Sequence, residues 1–191
     1  TVPYTLRNPL FHWTHLELTR YYGITDLLSE NTAEKIWEQT QSQLTSGSFS
    51  TRQLLNKVNA EYVCTTEDPT DNLEHDQAIA KFRPDKAILI NADGYNEYIN
   101  SLGNAAETTI STYNDLCDAL KNRIEFFDKN GCSVCDHGLD QIYFETYTES
   151  EIKAIFTKKR DGKEISNEEA LKFQSAILIF LAENLYRDSP R

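Results

Sequence analysis

Methionine is absent from all 191 residues, and the chain opens on Thr1. It is therefore expected to be part of a longer gene product, which leaves N-terminal targeting outside what the sequence can show. Cysteine is scarce: Cys64, Cys117, Cys132 and Cys135 are too few for a disulfide scaffold in a chain this long, and a reduced, cytoplasmic setting is expected. Cys132-Ser133-Val134-Cys135 has the spacing of a redox or zinc knuckle. No second such pair exists to complete a four-ligand site, and the run follows Gly131 as a β-like stretch rather than opening a helix. Two ordinary half-buried cysteines are the plainer reading. Positive charge is in deficit: 19 Lys and Arg against 30 Asp and Glu leave a net charge of −11. That balance excludes nonspecific binding to nucleic acid or an anionic membrane, and any anionic substrate must be captured by local arginines against the global field. No apolar run approaches the roughly 18–20 residues needed to span a bilayer, and no signal peptide is seen. Internal repeats and low-complexity linkers are missing too.

What is present fits a soluble globular protein of one large or two small domains, with 39% hydrophobic and 11% aromatic residues supplying ample core. Asn8-Pro9 reads as an N-cap followed by proline at the first helical position, with Gly23 as the stop. His12 and His15, three apart, share a helical face. They read either as a metal or substrate pair or as two histidines packed beside Trp13 at the edge of a core. Asn31-Thr32-Ala33-Glu34 is close to a capping box, with Ala33, Ile36, Trp37, Thr40 and Leu44 forming a stripe behind it. Ser50-Thr51-Arg52-Gln53 repeats the signal, with Leu54, Leu55 and Val58 as the buried side. Residues 1–57 thus read as all-helical.

From residue 58 the texture changes. Residues 61–66 form a β-rich run that ends in Thr66-Glu67-Asp68-Pro69, hydroxyl and carboxylates before a proline, with Asp71 predicted to cap a helix reaching Ile79. Helices are predicted from Asp93 to Leu102, stopped by Gly103, and from Tyr113 to Gly131. A strand over 132–135 ends in Asp136-His137-Gly138-Leu139. A helix from Thr148 or Ser150 stops at Gly162, and Ser166-Asn167-Glu168-Glu169 opens a last helix that is apolar over much of its circumference. Strand, polar loop and helix recur, which argues for parallel βα units.

Four stretches carry a resemblance. Asn8 to Leu18 resembles the N-P-L-[YF]-H-W-T-H-L-E-L run of uronate (glucuronate) isomerases. Val63 to Asp71 is similar to their V-C-T-T-D-D-P-x-D, with Glu67 in place of the first aspartate. Residues 83–87 match R-P-D-K-A, and Asp136 to Leu139 match D-H-[GA]-L. The motifs occur in the family's order over nearly the whole chain, whereas any one alone is weak.

The resemblance implies the amidohydrolase superfamily. The fold would be α/β and helix-rich, part of a (β/α)8 TIM-type barrel, with residues 1–57 an all-helical insertion and residues 58–191 barrel units. It implies interconversion of D-glucuronate with D-fructuronate and D-galacturonate with D-tagaturonate in bacterial hexuronate breakdown, with a bound zinc. Such an aldose–ketose isomerisation needs a base, stabilisation of an enediolate and a grip on the C6 carboxylate. The family's arginine in R-P-D-K helps hold that carboxylate, which points to Arg83; an ion pair with Asp85 or another carboxylate is the structural alternative. Asp136 and His137, at a strand end, are the catalytic candidates: the histidine could serve as acid, base or ligand, or cap the turn through Gly138. His12 and His15 are carried as substrate-binding candidates. Glu67 and Asp68 either line the site or brace the loop.

The departures are specific. The family's His-x-His on the first barrel strand and aspartate on the last have no counterpart, so no metal ligand is assigned in this chain. The family strand ending in V-L-P-S-[FW] is missing before Arg83, leaving open whether Arg83 reaches a barrel mouth. Two readings result. One is an internal part of a uronate isomerase acting on a hexuronate, active only in the full chain, with homo-oligomerisation left open. The other is a non-catalytic, helix-rich binding or interaction domain.

Overall fold

A computed structural model describes residues 2–61, 63–73 and 79–187. The chain divides into two compact units, Thr1–Glu61 and Tyr62–Arg191, against an expected division at 57/58.

The first unit holds three α-helices, α1 (Pro9–Tyr22), α2 (Ala33–Thr45) and α3 (Thr51–Val58). Helix α1 starts as its sequence dictates: the Asn8 side chain accepts from Leu10 N–H, Pro9 fills the first turn, and Gly23 stops the helix with φ of 69°. Helix α3 carries the Ser50/Gln53 capping box with both bonds formed. Helix α2 differs from expectation. Thr32 makes no cap bond, because its hydroxyl donates to Leu27 O at 2.6 Å and accepts from Ser29 N–H at 2.9 Å, closing the preceding turn instead. The unit's core is small: Leu18, Ile24 and Ile36 are buried, with Tyr22 and Leu28 packed against them. Of the expected α2 stripe only Ile36 is buried. Trp37 is 67% exposed, and Leu44 and, on α3, Val58 are also exposed, since three short helices offer too little surface to cover every apolar face.

The second unit is built on a three-stranded parallel sheet, order β1 (Cys64–Glu67), β2 (Ile79–Phe82), β3 (Val134–Cys135). Registers pair Glu67 with Phe82 and Phe82 with Cys135, so the three strands end level. Helices α4 (Asp85–Ile88), α5 (Tyr95–Ala105) and α6 (Tyr113–Lys129) connect β2 to β3, and α7 (Glu149–Arg160) and α8 (Asn167–Arg187) follow. A parallel pair needs such a crossover, which fits the strand–helix alternation of the sequence. The core is continuous, with Phe82 meeting Phe127 edge-on at 5.0 Å and Phe156 stacked on Phe173 at 6.1 Å. The Thr148/Glu151 and Ser166/Glu169 caps form as expected, and Gly162 stops α7 with φ of 76°.

The structure departs from expectation at several points. The helix from Asp71 to Ile79 does not form as drawn: residues 71–73 lie in no regular element, Ile79 opens β2, and residues 74–78 are outside the described residues. The Asp71 carboxylate accepts from Asp68 N–H at 2.7 Å and closes the turn on itself, and the helix it is expected to cap lies largely outside the described residues. The strand absent before Arg83 by motif is supplied by Ile79-Ala80-Lys81-Phe82, which pairs along its whole length with β1. Gly103 does not stop α5, which runs on to Ala105. The strand over 132–135 shrinks to Val134–Cys135, because Cys132 N–H donates to Phe127 O and belongs to the end of α6.

Candidate active site

The level strand ends decide which side chains meet. Arg83 N–H donates to Glu67 O at 2.9 Å and Asp136 N–H to Phe82 O at 3.1 Å, so the ladder continues one residue past each strand. Asp68, Arg83 and Asp136 therefore stand in one row just beyond β1, β2 and β3. In parallel α/β sheets this C-terminal edge is where binding and chemistry concentrate, because loops leave there without interrupting the packed sheet.

The row is a lattice of alternating charge. Lys81 Nζ lies 3.1 Å from Asp136 Oδ2, and Arg83 Nη1 is 4.0 Å from the same oxygen. Arg83 Nε donates to Asp85 Oδ2 at 2.7 Å, so the ion pair offered as the alternative reading of Arg83 exists. Lys86 Nζ lies 3.4 Å from Asp68 Oδ2. The hydrogen bond from Lys81, followed by its charge and that of Arg83, holds the Asp136 carboxyl below the usual carboxylate range. The hydrogen bond and charge of Asp85 raise the Arg83 pKa further, so its guanidinium is charged under all working conditions.

His137 faces inward from this row. Its Nδ1 lies 3.7 Å from Asp85 Oδ1, buried and without a hydrogen-bond partner among the described residues, and its Nε2 is 3.5 Å from Cys135 Sγ. Burial pushes the Cys135 thiol up to about 12, so it stays protonated; Cys132 Sγ is turned to Val134 O at 3.4 Å. Among the described residues no group of three or more His, Cys, Asp or Glu side chains is placed to hold a metal ion. The described residues therefore do not by themselves fit the zinc that the resemblance implies. The apolar cavity behind β3, lined by Phe82, Ile124, Phe127, Cys132 and Cys135, lies behind the sheet rather than at the charged strand ends.

The histidines of α1 belong to the first unit. His15 bridges backbone: its Nε2 accepts from Leu28 N–H at 2.9 Å, which places the proton on Nδ1, 2.6 Å from Phe11 O. Any substrate contact by His15 has to break one of these bonds. His12 is exposed, its ring edge-on to Phe11 at 5.7 Å.

Sequence reading passed over Lys81, Gly138 as a neighbour of Arg83, and Arg123. The last is 4% exposed and holds the loop after β1. Its position was legible, since it falls on the same α6 face as Leu116, Leu120, Ile124 and Phe127, where an arginine must find buried partners.

With the geometry in place, three comparisons bear on identity. The family model UxaC: Glucuronate isomerase matches residues 1–189. The chain is 59% identical over 196 aligned residues to the uronate isomerase of Flavobacterium johnsoniae, covering 97% of this chain and 42% of that protein. It is 44% identical to that of Cellvibrio japonicus, covering 95% and 41%. The crystal structure of uronate isomerase from Thermotoga maritima superposes with a TM-score of 0.88 at 28% identity, over 96% of this chain and 43% of that one. Glucuronate isomerase from Caulobacter crescentus, at 21% identity and a TM-score of 0.83, shares the fold. The chain thus spans well under half the length of the relatives it matches. The chain belongs to the glucuronate isomerase family.

Proposed function

We propose that these residues form part of a (β/α)8-barrel uronate isomerase, cytoplasmic and active on hexuronates, in which residues 1–57 are a helical insertion. The observation that supports this reading is the row of Asp68, Arg83 and Asp136 beyond three level parallel strand ends, in a chain of this family. Arg83 carries the grip on the C6 carboxylate. Its Nε is taken by Asp85, which leaves the Nη1/Nη2 edge for a second carboxylate to meet bidentately. Asp136, kept ionised by Lys81, and His137 beside it carry the proton transfer between C2 and C1. His12 and His15 are carried as substrate-binding residues, His12 as the exposed member. A zinc ion in the full-length enzyme would be held by residues outside these 191. The 191 residues alone are expected to turn over no uronate.

The test is an assay of the full-length protein on D-glucuronate and D-galacturonate, with and without a chelator. Turnover that the chelator abolishes is expected, and a zinc-replete protein that isomerises neither overturns the reading. Replacing Arg83 by Ala should lower kcat/KM about 10- to 100-fold, the worth of a charge-assisted pair, while an unchanged value assigns Arg83 to structure.

A further inference from the structure

Asp85 occupies an unusual place for a surface carboxylate. It opens α4, three residues past the end of β2, yet its two oxygens are directed to the exits of two different strands. Oδ2 accepts from Arg83 Nε at 2.7 Å on the β2 side. Both oxygens accept from the backbone N–H of Gly138, at 3.1 and 3.0 Å, on the β3 side. The side chain is only 20% exposed, and the buried Nδ1 of His137 faces its other flank.

The residue at 138 makes this three-way meeting sterically permitted. Its φ lies outside the left-handed region, so the backbone places no demand for glycine there. The space does. A Cβ at this position would overlap Arg83 Nη2 and stand 3.0 Å from Asp85 Oδ2. A side chain here would have to push the guanidinium aside, because it and its carboxylate lie directly over the main chain.

We infer that Asp85 is a positioning residue for Arg83, locking the guanidinium through Nε against the Gly138 backbone so that its Nη1/Nη2 edge is presented to the substrate carboxylate. This rests on the reading of Arg83 given above. A free arginine loses side-chain rotamer entropy when it grips a ligand; one already held at Nε by a carboxylate, itself held by a backbone N–H, has lost most of that freedom before substrate arrives. Monodentate pinning at Nε also orients the planar fork, which a lysine at 83 could not reproduce. Asp136, 4.0 Å from Nη1, is too far to compete for that edge by hydrogen bonding.

The experiment is a double-mutant cycle in the full-length enzyme, reading kcat and KM on D-glucuronate for Arg83→Ala, Asp85→Ala, Arg83→Ala/Asp85→Ala and Gly138→Ala, with melting temperatures recorded for each. Asp85→Ala and Gly138→Ala should each lower kcat/KM about tenfold, mainly through KM, with the fold retained. The double variant should be no worse than Arg83→Ala alone, because Asp85 acts only through Arg83. If Arg83→Ala is silent, the functional reading of Arg83 fails and this inference with it. If Arg83→Ala is costly but Asp85→Ala or Gly138→Ala is silent, or the losses add in the double variant, the positioning role alone is overturned. Should Asp85→Ala not fold, the isosteric Asp85→Asn, which keeps the shape and loses the charge, replaces it in the cycle with the same outcomes.

Discussion

Arg123, midway along α6, donates its Nε–H to the carbonyl of Pro69 across 2.6 Å. The same guanidinium donates from Nη2 to Asp71 O at 2.8 Å and from Nη1 to Ala105 O at 2.9 Å, and it lies over the Phe126 ring at 4.1 Å. One buried cation thus satisfies the main chain of the loop after β1 and the end of α5 together. It finds no carboxylate partner in these contacts, and burial lowers its pKa. Three carbonyls are its compensation. Arg123→Met should therefore remove all three of these bonds and destabilise the full-length enzyme by about 3 kcal/mol or more. Arg123→Lys, which keeps the charge but lacks the fork, should recover only part of this. Urea denaturation of both variants checks it; a midpoint equal to wild type for Arg123→Met refutes the account.

Gly103 sits inside α5, fully covered, where a Cβ would stand 2.7 Å from Thr108 O. That oxygen is main chain and cannot swing aside as a long side chain could. Gly103→Ala should gain about 1 kcal/mol in helix propensity and lose more to the clash. The net is a destabilisation of about 1–3 kcal/mol, visible as a lower melting temperature. A rise in melting temperature would show that the 106–110 loop yields freely.

These two residues also mark what was legible beforehand. Asn8, Ser50 and Ser166 are legible as helix starts, and Thr148 as one of two options beside Ser150, because a cap bond closes within two or three residues, so the relevant chemistry is adjacent in sequence. The carbonyl of Asp71 is claimed by Arg123, 52 positions away, and no local pattern can show that. Gly103 looks like a helix stop until the loop that packs on it is known. At the strand ends, Arg83, Asp136 and His137 were visible as motif residues, and the Arg83–Asp85 pair was one of two open readings. Lys81 was not visible as a site residue, because its partner Asp136 lies on a neighbouring strand and only the parallel register brings them together.

Lys172 on α8 meets Glu151 on α7 at 3.0 Å, and Glu151 also accepts from Thr148 N–H at 2.7 Å. The Lys172 bond, then those from Thr148, depress the Glu151 pKa from 4.5 to about 2. A carboxylate depressed in the folded state adds stability that is fully present above its ordinary 4.5 and disappears as pH falls through about 2. Glu151→Gln keeps an acceptor for the Thr148 cap and removes only the charge. Its melting temperature should fall below wild type at pH 7, and the gap should narrow progressively below pH 4.5. A gap independent of pH would mean that lost packing, and not charge, sets the difference.

The Lys81–Asp136 contact links the sheet to the chemistry proposed for it. Lys81 lies within β2, and its ammonium reaches the first residue after β3 at 3.1 Å, so the ion pair holds the Asp136 carboxyl down while fixing where it points. Lys81→Met preserves much of the aliphatic stem and deletes the charge. The Asp136 pKa should then rise toward the ordinary carboxylate range, part of the depression surviving through Arg83. If ionised Asp136 is needed for proton transfer, the acid limb of the kcat/KM profile in the full-length enzyme moves to higher pH, and activity near neutral pH changes less than activity in acid. Asp136→Asn should abolish most turnover and leave no such limb to move. An acid limb that stays in place in Lys81→Met, with Asp136→Asn inactive, would assign the limb to another group and leave Asp136 as a binding residue.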